Sequence, residues 1–444
     1  MTQIPSLLAR SLTNFVDGVA VAIPRLLSGV IFLTLAYVGI RVVLGIVRGV
    51  LERVYPVEER LIVDLIVTVV ALFLWFGAAL ALGTSPKATL DAWYDGVWTL
   101  LGFMATLSVM LMAGDAIAKS PAVTHALERI ASVPNSRFTA VWFTSFVAMA
   151  TALVSWAIGL IVGAIMARRV AYECRRKGIE VHYPLLAAAG YTSLMIFHSG
   201  LSSSAALFMT DPSLIPASFP EYVRGGIPLG ETLGTPVNIV TAGLELAIIP
   251  VLMGAMHPDS NIRELPGEIR SEIAENLDST LPEDPQPEDA AITKRRAPLT
   301  VADRLNNSTV LGIAIAVFPL YYIVNTWFLR PGGISNLTLN SINALLIFGA
   351  VVLWKRPINI VNQMKDSVKN ISGIIFMFPF YAGIAGLLTN TGLAREFTRF
   401  FANTATRETW PVIGVVISAV VNIFIPSGGG QWVAQGPILI ATSR

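Results

Sequence analysis

Long apolar stretches separated by short polar segments run along most of this sequence. A helix needs about 20 apolar residues to cross the hydrocarbon core of a bilayer, and a helix satisfies its own backbone hydrogen bonds there. The pattern therefore predicts an all-α, polytopic membrane protein. The predicted spans are Leu26–Val47, Leu61–Leu82, Val97–Ala118, Phe138–Ala167, Val237–Met256, Val310–Phe328, Leu339–Trp354, Ile371–Leu388 and Val412–Ile425.

Two further apolar stretches, Tyr183–Met209 and Ser427–Ile440, contain Gly, Ser and Pro. Glycine frees the backbone and proline cannot continue the hydrogen-bond ladder of a helix, so we interpret both stretches as hairpins or broken helices. The first interruption reads His198, Ser199, Gly200, Leu201, Ser202, Ser203, Ser204. The second reads Pro426, Ser427, Gly428, Gly429, Gly430, Gln431, Trp432 and is preceded by Asn422.

A polar segment between Met256 and Asn307 divides the apolar stretches into two groups. Acidic residues are dense from Asp259 to Asp289. Such a segment cannot bury enough apolar surface to offset the entropy of ordering, so we predict a solvated linker that is disordered or forms short surface helices. The predicted organisation is an N-terminal segment with an extra transmembrane helix (1–60), a first half (61–256), the acidic linker (257–306) and a second half (307–444), the halves being of the inverted type and each holding one interruption.

Composition agrees with a lipid environment and narrows the chemistry. Hydrophobic residues make up 54% of the chain and charged residues 14%, and the mean hydropathy is +0.65. The net charge of +2 leaves no basic surplus for nucleic acid. The sequence has a single cysteine, no phosphate-binding loop and no histidines at metal-ligand spacing, so we expect no enzyme, no catalytic residues, no cofactor and no metal site.

The paired interruptions predict a transport site. Polar residues are costly at membrane depth unless protein or a water-filled cavity surrounds them, and broken helices in corresponding halves mark the sites of inverted-repeat carriers. Unwound N–H groups, hydroxyls and an amide can replace the water that a carboxylate loses, so we expect the interruptions to meet inside the bilayer. The predicted substrate-binding residues are His198, Ser199, Gly200, Ser202, Ser203, Ser204, Asn422, Ser427, Gly428, Gly429, Gly430 and Gln431.

Structural roles stay open for several of these residues. A serine in a membrane helix can bond to a backbone carbonyl, and glycines can serve close helix packing. His198 can be an interior histidine with satisfied hydrogen bonds, or it can carry a proton or donate to a carboxylate.

Carboxylates within the apolar stretches are candidates for coupling transport to an ion, because an intramembrane carboxylate is costly and usually functional. Glu245 and Glu231 are the coupling-ion candidates. We expect Asp115 and Glu231 to lie at the water boundary, whereas Glu245 lies in the middle of a predicted span.

Six segments have sequences that are typical of one known family and lie in that family's order along the chain. They are Asp91–Leu101, Ser155–Ala167, His198–Ser204, Phe378–Gly386, Pro426–Trp432 and Gln435–Pro437. Through these segments the chain resembles the bacterial short-chain fatty acid transporter family. This resemblance implies a secondary active carrier of small monocarboxylates such as acetoacetate or butyrate, coupled by symport to H⁺ or Na⁺, in the bacterial inner membrane.

Three features depart from that family pattern. Ser199 and Ser203 stand where the family usually has glycine, an additional apolar segment precedes the matching region, and the sequence stops at Arg444 while relatives continue, which predicts a truncated C-terminal part. A carrier of dicarboxylates or other organic anions and a non-transporting membrane scaffold are therefore alternatives. The expected partners are the lipid bilayer, a short-chain monocarboxylate and H⁺ or Na⁺, without nucleic acid; a homo-oligomer stays open.

Overall fold

The structure is a computed structural model that describes residues 59–278, 300–404, 406, 409–425 and 427–443. The described residues form helices joined by turns, and no β-strand occurs among them. The all-α prediction is therefore confirmed for this part of the chain. The predicted span Leu26–Val47 and the middle of the predicted linker lie outside the described residues.

The helices before the undescribed part of the linker include several that are too short to cross a membrane. They are α1 (Glu59–Ala81), α2 (Pro86–Val97), α3 (Leu101–Ala118), α4 (Pro121–Ala131), α5 (Arg137–Val154), α6 (Trp156–Arg176), α7 (Tyr183–Tyr191), α8 (Ser193–Ile196), α9 (Ser204–Phe208), α10 (Pro236–Ala255) and α11 (Gly267–Asp278), with 3₁₀ turns at Phe197–Ser199, Glu221–Val223 and Leu229–Glu231.

The helices after the linker follow a similar pattern of long apolar and short polar elements. They are α12 (Val301–Asn306), α13 (Thr309–Val324), α14 (Leu339–Trp354), α15 (Pro357–Ser367), α16 (Ser372–Asn390), α17 (Leu393–Thr404), α18 (Trp410–Phe424) and α19 (Gly428–Thr442). A π-helical turn, Asn325–Leu329, extends α13, and 3₁₀ turns lie at Gly333–Asn336 and Val368–Ile371.

Five helical segments among the described residues are long and apolar enough to cross a membrane. Three shorter apolar helices, Thr68–Ala81, Leu339–Trp354 and Trp410–Ala419, accompany them. This number of spans indicates a multi-pass membrane protein. The five are Pro86–Ala118, Arg137–Val154, Pro236–Ala255, Thr309–Leu329 and Pro357–Asn390.

The predicted span Phe138–Ala167 is not one helix. It divides at Ser155, whose backbone is extended (φ −153°, ψ 128°), into α5 and α6. The Ser136 side chain begins α5 through a capping box with Thr139, in which each side chain bonds to the backbone of the other residue.

The chain forms two compact units, one comprising residues 101–376 and the other residues 1–100 with 377–444. In the larger unit (101–376), the core is formed by small and aliphatic side chains of α4, α6 and α7. Gly163 of α6 lies against Gly190 of α7. A Cβ atom added to Gly163 would overlap the carbonyl oxygen of Gly190. Only glycine therefore permits this approach of the two helices.

In the described part of the discontinuous unit (1–100 and 377–444), α2 and α16 pack through glycines as well. Gly96 and Gly386 face each other with no space for a Cβ atom on either. The Thr84 hydroxyl, just before α2, donates to the Thr391 carbonyl, just after α16, at 3.3 Å. This bond joins the start of α2 to the end of α16.

The start of the predicted linker is docked on the larger unit. The backbone N–H of His182 donates to Nε2 of His257 at 3.0 Å, and that of Arg263 donates to Nδ1 of His182 at 3.1 Å. The Arg263 carbonyl accepts from the Tyr183 N–H at 2.8 Å, and Leu265 is buried in the core of the unit. Residues 257–278, the docked segment, are thus ordered, because both imidazoles accept backbone hydrogen bonds.

Acid should release the docked segment. Burial, above all, together with the nearby Arg137 and His182, lowers the pKa of His257, although the Pro258 carbonyl and Asp259 oppose this shift. The neutral ring is therefore favoured when docked, so its contribution is complete above the ordinary histidine pKa of about 6.5 and is lost as the pH falls through the lowered value. We expect hydrogen exchange at the His182 amide, which donates to the His257 ring, to accelerate over this range once it is corrected for intrinsic rates.

His125 supplies the matched control for this measurement, because its exposed ring bonds only to the Pro121 carbonyl, one turn earlier in its own helix. His257→Gln should abolish the acid-dependent step, and His125→Gln should leave it in place. Equal protection of the His182 amide on both sides of the transition would contradict the role of the His257 ring as its acceptor.

Candidate functional site

The first interruption lies against the break between α5 and α6, within the larger unit. The chain leaves α8 through the 3₁₀ turn Phe197–Ser199, extends at Gly200 and enters α9 with Ser203 as N-cap. Opposite, α5 ends at Val154 and α6 begins at Trp156. Two broken helices therefore cross at their breaks, which is the arrangement in which unwound backbone occurs at membrane depth.

Backbone groups freed at each break are satisfied by the other. The Leu201 N–H donates to the Leu153 carbonyl at 2.8 Å, and the Trp156 N–H donates to the Ser202 hydroxyl oxygen at 2.7 Å. Gly200 lies so close to Leu153 that an added Cβ atom would overlap its carbonyl oxygen. Ser202 and Gly200 are thus required for the contact between the two breaks.

The hydroxyls of the first interruption fall into two groups. Those of Ser202 and Ser203 are committed to helix ends, since Ser202 caps α6 and Ser203 accepts from the Ala206 N–H at 3.4 Å. A third contact secures the turn, because the Asn238 side chain of α10 donates to the Ser199 carbonyl at 3.1 Å. These contacts favour the structural reading for Ser202 and Ser203.

Three other polar side chains of the same interruption have no hydrogen-bond partner among the described residues, namely His198, Ser199 and Ser204. The His198 ring stacks on Phe197 with a centroid distance of 3.9 Å, and Ser204 is buried at the start of α9. Their donors are available to a ligand. Ser155, in the opposite break, is completely buried, and its hydroxyl has no partner within the described structure either.

The second interruption is more regular than its composition predicts. Ile425 leaves the helical conformation (φ −127°, ψ 77°) and Ser427 is extended, and Gly428 to Gly430 form the first turn of α19 rather than an unwound segment. The Ser427 hydroxyl caps this turn by accepting from the Gly430 N–H at 3.4 Å. A good N-cap residue offsets the low helix propensity of the glycines.

An amide ladder connects α18 to α19 in the discontinuous unit. The Asn422 amide donates to Oε1 of Gln431 at 2.7 Å, and Gln431 Nε2 donates to the Ser418 carbonyl at 2.7 Å. Gln435 Nε2 donates to the Ser418 hydroxyl at 3.0 Å, which leaves its buried Oε1 without a partner in the described structure. The side chains of Asn422 and Gln431 are therefore used within the hairpin.

The N–H groups of Gly428 and Gly429, by contrast, have no acceptor among the described residues. They lie in the first turn of α19, where backbone donors and the helix dipole favour an anion. The expectation that the two interruptions meet in one cavity stays a prediction.

The two coupling-ion candidates have different environments. Glu245 lies mid-way along α10 and is half-buried, and its Oε2 atom is buried with no hydrogen-bond partner in the described structure. Glu231 is exposed in the 3₁₀ turn Leu229–Glu231. Among the described residues, no group of three or more His, Cys, Asp and Glu side chains is arranged to hold a metal ion.

Sequence reasoning missed the helix break at Ser155 and the Ser418–Gln435 contact. The break had a detectable signal, because the apolar run Phe138–Ala167 is longer than the about 20 residues that cross a bilayer. It had a second signal in Ser155, a small polar residue inside that run. The Ser418–Gln435 contact had no such signal, since it depends on how two helices are aligned.

Comparison with known proteins agrees with the motifs. The sequence profile of the family described as "Short chain fatty acid transporter" matches residues 46–444. Two curated relatives, from Escherichia coli (strain K12) and Haemophilus influenzae (strain Rd), are each described as a "Putative short-chain fatty acid transporter".

The similarity extends over most of each chain. The Escherichia coli relative is 30% identical over 361 residues, which are 81% of this chain and 76% of the relative. The Haemophilus influenzae relative is 30% identical over 387 residues, which are 86% of this chain and 81% of the relative. No solved structure matches the chain. The family profile and both relatives confirm the resemblance seen in the motifs, and this chain belongs to the short-chain fatty acid transporter family.

Proposed function

We propose that this protein is a secondary active transporter that carries short-chain monocarboxylates, such as acetoacetate or butyrate, across the bacterial inner membrane by ion-coupled symport. The observation that carries the proposal is the crossing of two broken helices at the first interruption, where His198, Ser199 and Ser204 have donors that no described residue accepts. Family membership supports the substrate class. Each hydrogen bond to a carboxylate is worth about 1.5–3 kcal/mol, so several are needed to offset its lost hydration.

Neutral donors suit a carrier because the acid has to be released on the other side. A fixed cation would hold a carboxylate too tightly, and no Arg or Lys occurs within either interruption. The N–H groups of Gly428 and Gly429 offer the same kind of neutral donor at the second interruption. The lack of a fixed cation in these sequences also argues against a dicarboxylate as the main substrate.

Uptake into proteoliposomes tests this function. Vesicles that contain the full chain should take up labelled acetoacetate faster than protein-free vesicles, which account for diffusion of the neutral acid, and an imposed H⁺ or Na⁺ gradient should increase this uptake. Unlabelled butyrate should compete, whereas succinate, a dicarboxylate, should not. Uptake equal to that of protein-free vesicles with both ions would contradict transport and favour the scaffold alternative.

Substitution of two neighbouring serines separates substrate contact from backbone support. We expect Ser204→Ala to raise KM about tenfold, because one hydrogen bond to a charged group is lost. Ser202→Ala should instead lower the free energy of unfolding by about 0.5–2 kcal/mol, since the Trp156 N–H loses its cap. KM from transport assays and thermal unfolding in detergent measure the two effects. A raised KM for Ser202→Ala alone would reverse the assignment.

Neutralising the two candidate carboxylates tests ion coupling. We propose Glu245 as a coupling group because it lies within a span with an unpartnered buried oxygen, which a proton or a cation would satisfy. Glu245→Gln should make uptake independent of the imposed gradient. Glu231→Gln, which alters an exposed turn, should leave the gradient dependence in place. The opposite result would identify Glu231 as the coupling group.

A further inference from the structure

A second carboxylate is enclosed by protein in a part of the larger unit that the proposed substrate site does not use. Asp115, in the last turn of α3, has a side chain that is 0% exposed, although its sequence position predicts the water boundary. A buried carboxylate costs several kcal/mol even when it is paired. Its retention therefore calls for a role beyond stability.

The two oxygens of Asp115 have unequal partners. Oδ2 accepts from the Ser367 hydroxyl at 2.6 Å, from the Gln363 amide at 3.1 Å and from the Lys119 ammonium at 3.1 Å. Oδ1 has only the ion pair with Lys119, whose nitrogen lies 2.9 Å away, and accepts no hydrogen bond in the described structure. Ser367 and Gln363 are buried with the carboxylate, whereas the Lys119 side chain is 43% exposed.

Because of this difference in exposure, Lys119 is the partner that can move away from Asp115. Lys119 can turn out into water at little cost, because a long charged side chain is well solvated at the surface. Asp115 cannot follow, since it is enclosed. Once Lys119 has moved away, Oδ1 is a bare charged oxygen in a low-dielectric surrounding. A proton on Oδ1 removes that charge.

The surrounding groups favour a proton over a metal cation. The groups that face Oδ2 are a hydroxyl, an amide Nε2 and an ammonium, which all present hydrogens to the carboxylate. A metal cation such as Na⁺ needs several oxygen ligands directed at it, whereas in this arrangement Ser367 and Gln363 direct hydrogens towards the carboxylate.

Charged and titratable residues on the elements that pack against α3 make no ion pair or hydrogen bond with Asp115 in the described structure. Lys119 is therefore the charged residue that pairs with Asp115 in the described structure. These other residues are His125, Glu128 and Arg129 on α4, Arg168, Arg169, Glu173, Arg175 and Arg176 on α6, Lys355 after α14, Lys365 and Asp366 on α15, and Lys369 in the 3₁₀ turn.

We propose that Asp115 is a proton-binding group of the transport cycle, ionised while Lys119 is paired with it and protonated on Oδ1 while Lys119 is turned out to water. The proton comes from water when Lys119 withdraws and returns to water when the pair re-forms, so no other reactant is needed. This inference rests on the proposed function and adds a carboxylate to Glu245.

Contacts within the larger unit connect Asp115 with the first interruption. Ser367, which donates to the carboxylate, is followed directly by the 3₁₀ turn Val368–Ile371. Ile371 packs in one cluster with Ala157 and Trp156 at the start of α6. The Ser202 hydroxyl oxygen accepts a hydrogen bond from the Trp156 N–H. Protonation weakens the charge-assisted bond from Ser367. Loss of charge at Asp115 therefore loosens a turn that packs beside the crossing of the broken helices.

Two transport modes of the full chain in proteoliposomes test this proposal. Exchange of labelled against unlabelled acetoacetate, with no gradient, needs substrate binding and conformational change but no net proton movement. Accumulation driven by an inside-alkaline pH gradient, corrected with protein-free vesicles, needs proton binding as well. An asparagine side chain imitates the protonated carboxyl, so Asp115→Asn should retain exchange at the wild-type rate and lose accumulation.

Two further variants complete the design. The double variant Asp115→Asn/Lys119→Gln removes the ammonium that the single variant leaves unpaired, and it should give the same result if the single variant folds poorly. Asp91→Asn is the matched control, because Asp91 pairs with Lys87 four residues away at 2.6 Å but both side chains are exposed. It should retain exchange and accumulation.

Each outcome decides the proposal. Retained exchange with lost accumulation supports it. Wild-type accumulation in the Asp115 variants, or loss of both modes in a double variant that is folded by size-exclusion chromatography, overturns it and assigns the cluster a structural role. Absence of exchange in the wild type instead contradicts the proposed function, and the inference about Asp115 falls with it.

Discussion

The need to satisfy backbone groups where a helix is broken inside a membrane protein determines most of this structure. Lipid offers no hydrogen bonds, so each break requires partners from the protein. At the first interruption the partners come from another break, through the Leu201–Leu153 bond and the Ser202 cap on Trp156. Gly200 permits the contact, since any side chain there would overlap Leu153. Ser202 and Gly200, which the sequence predicts as substrate-binding residues, are thus needed to break two helices at one place.

The breaks leave some donors without a partner in the described structure, and the proposed transport function depends on them. His198, Ser199 and Ser204 keep donors that no described residue accepts, in the same short segment in which Ser202 and Ser203 hold the backbone. A segment with all donors committed would be rigid and unable to bind. A segment with none committed would have no defined shape. In the proposed site, the division between neighbouring serines would give neutral donors a defined geometry, as weak, reversible binding of an anion requires.

Sequence patterns predicted the described part of the fold well where a property of single residues decides the outcome. The length of the apolar stretches indicated where most of the spans lie. The positions of Gly, Ser and Pro indicated the breaks around Phe197–Ser204 and before α19. The patterns failed where tertiary partners decide. The three glycines Gly428–Gly430 are helical because Ser427 caps them. The start of the acidic linker is ordered because the His182 ring accepts the Arg263 N–H and the His257 ring accepts the His182 N–H. At the break at Ser155, the N–H of Trp156 bonds to Ser202, which lies 46 residues further along the chain.

The placement of charge in the larger unit follows a related logic. A fixed charge beside the substrate would hold an anion or repel it through the whole cycle, whereas the donors left over at the first interruption are neutral. The enclosed charge of Asp115 lies away from them, with a partner, Lys119, that can leave. Because Ile371, Ala157 and Trp156 pack together between the two places, a change of charge at one can alter the packing at the other without any ion entering the site of the acid. In the proposed mechanism, the groups that recognise the anion are separate from the group that binds the proton, and each can then be adjusted without loss of the other.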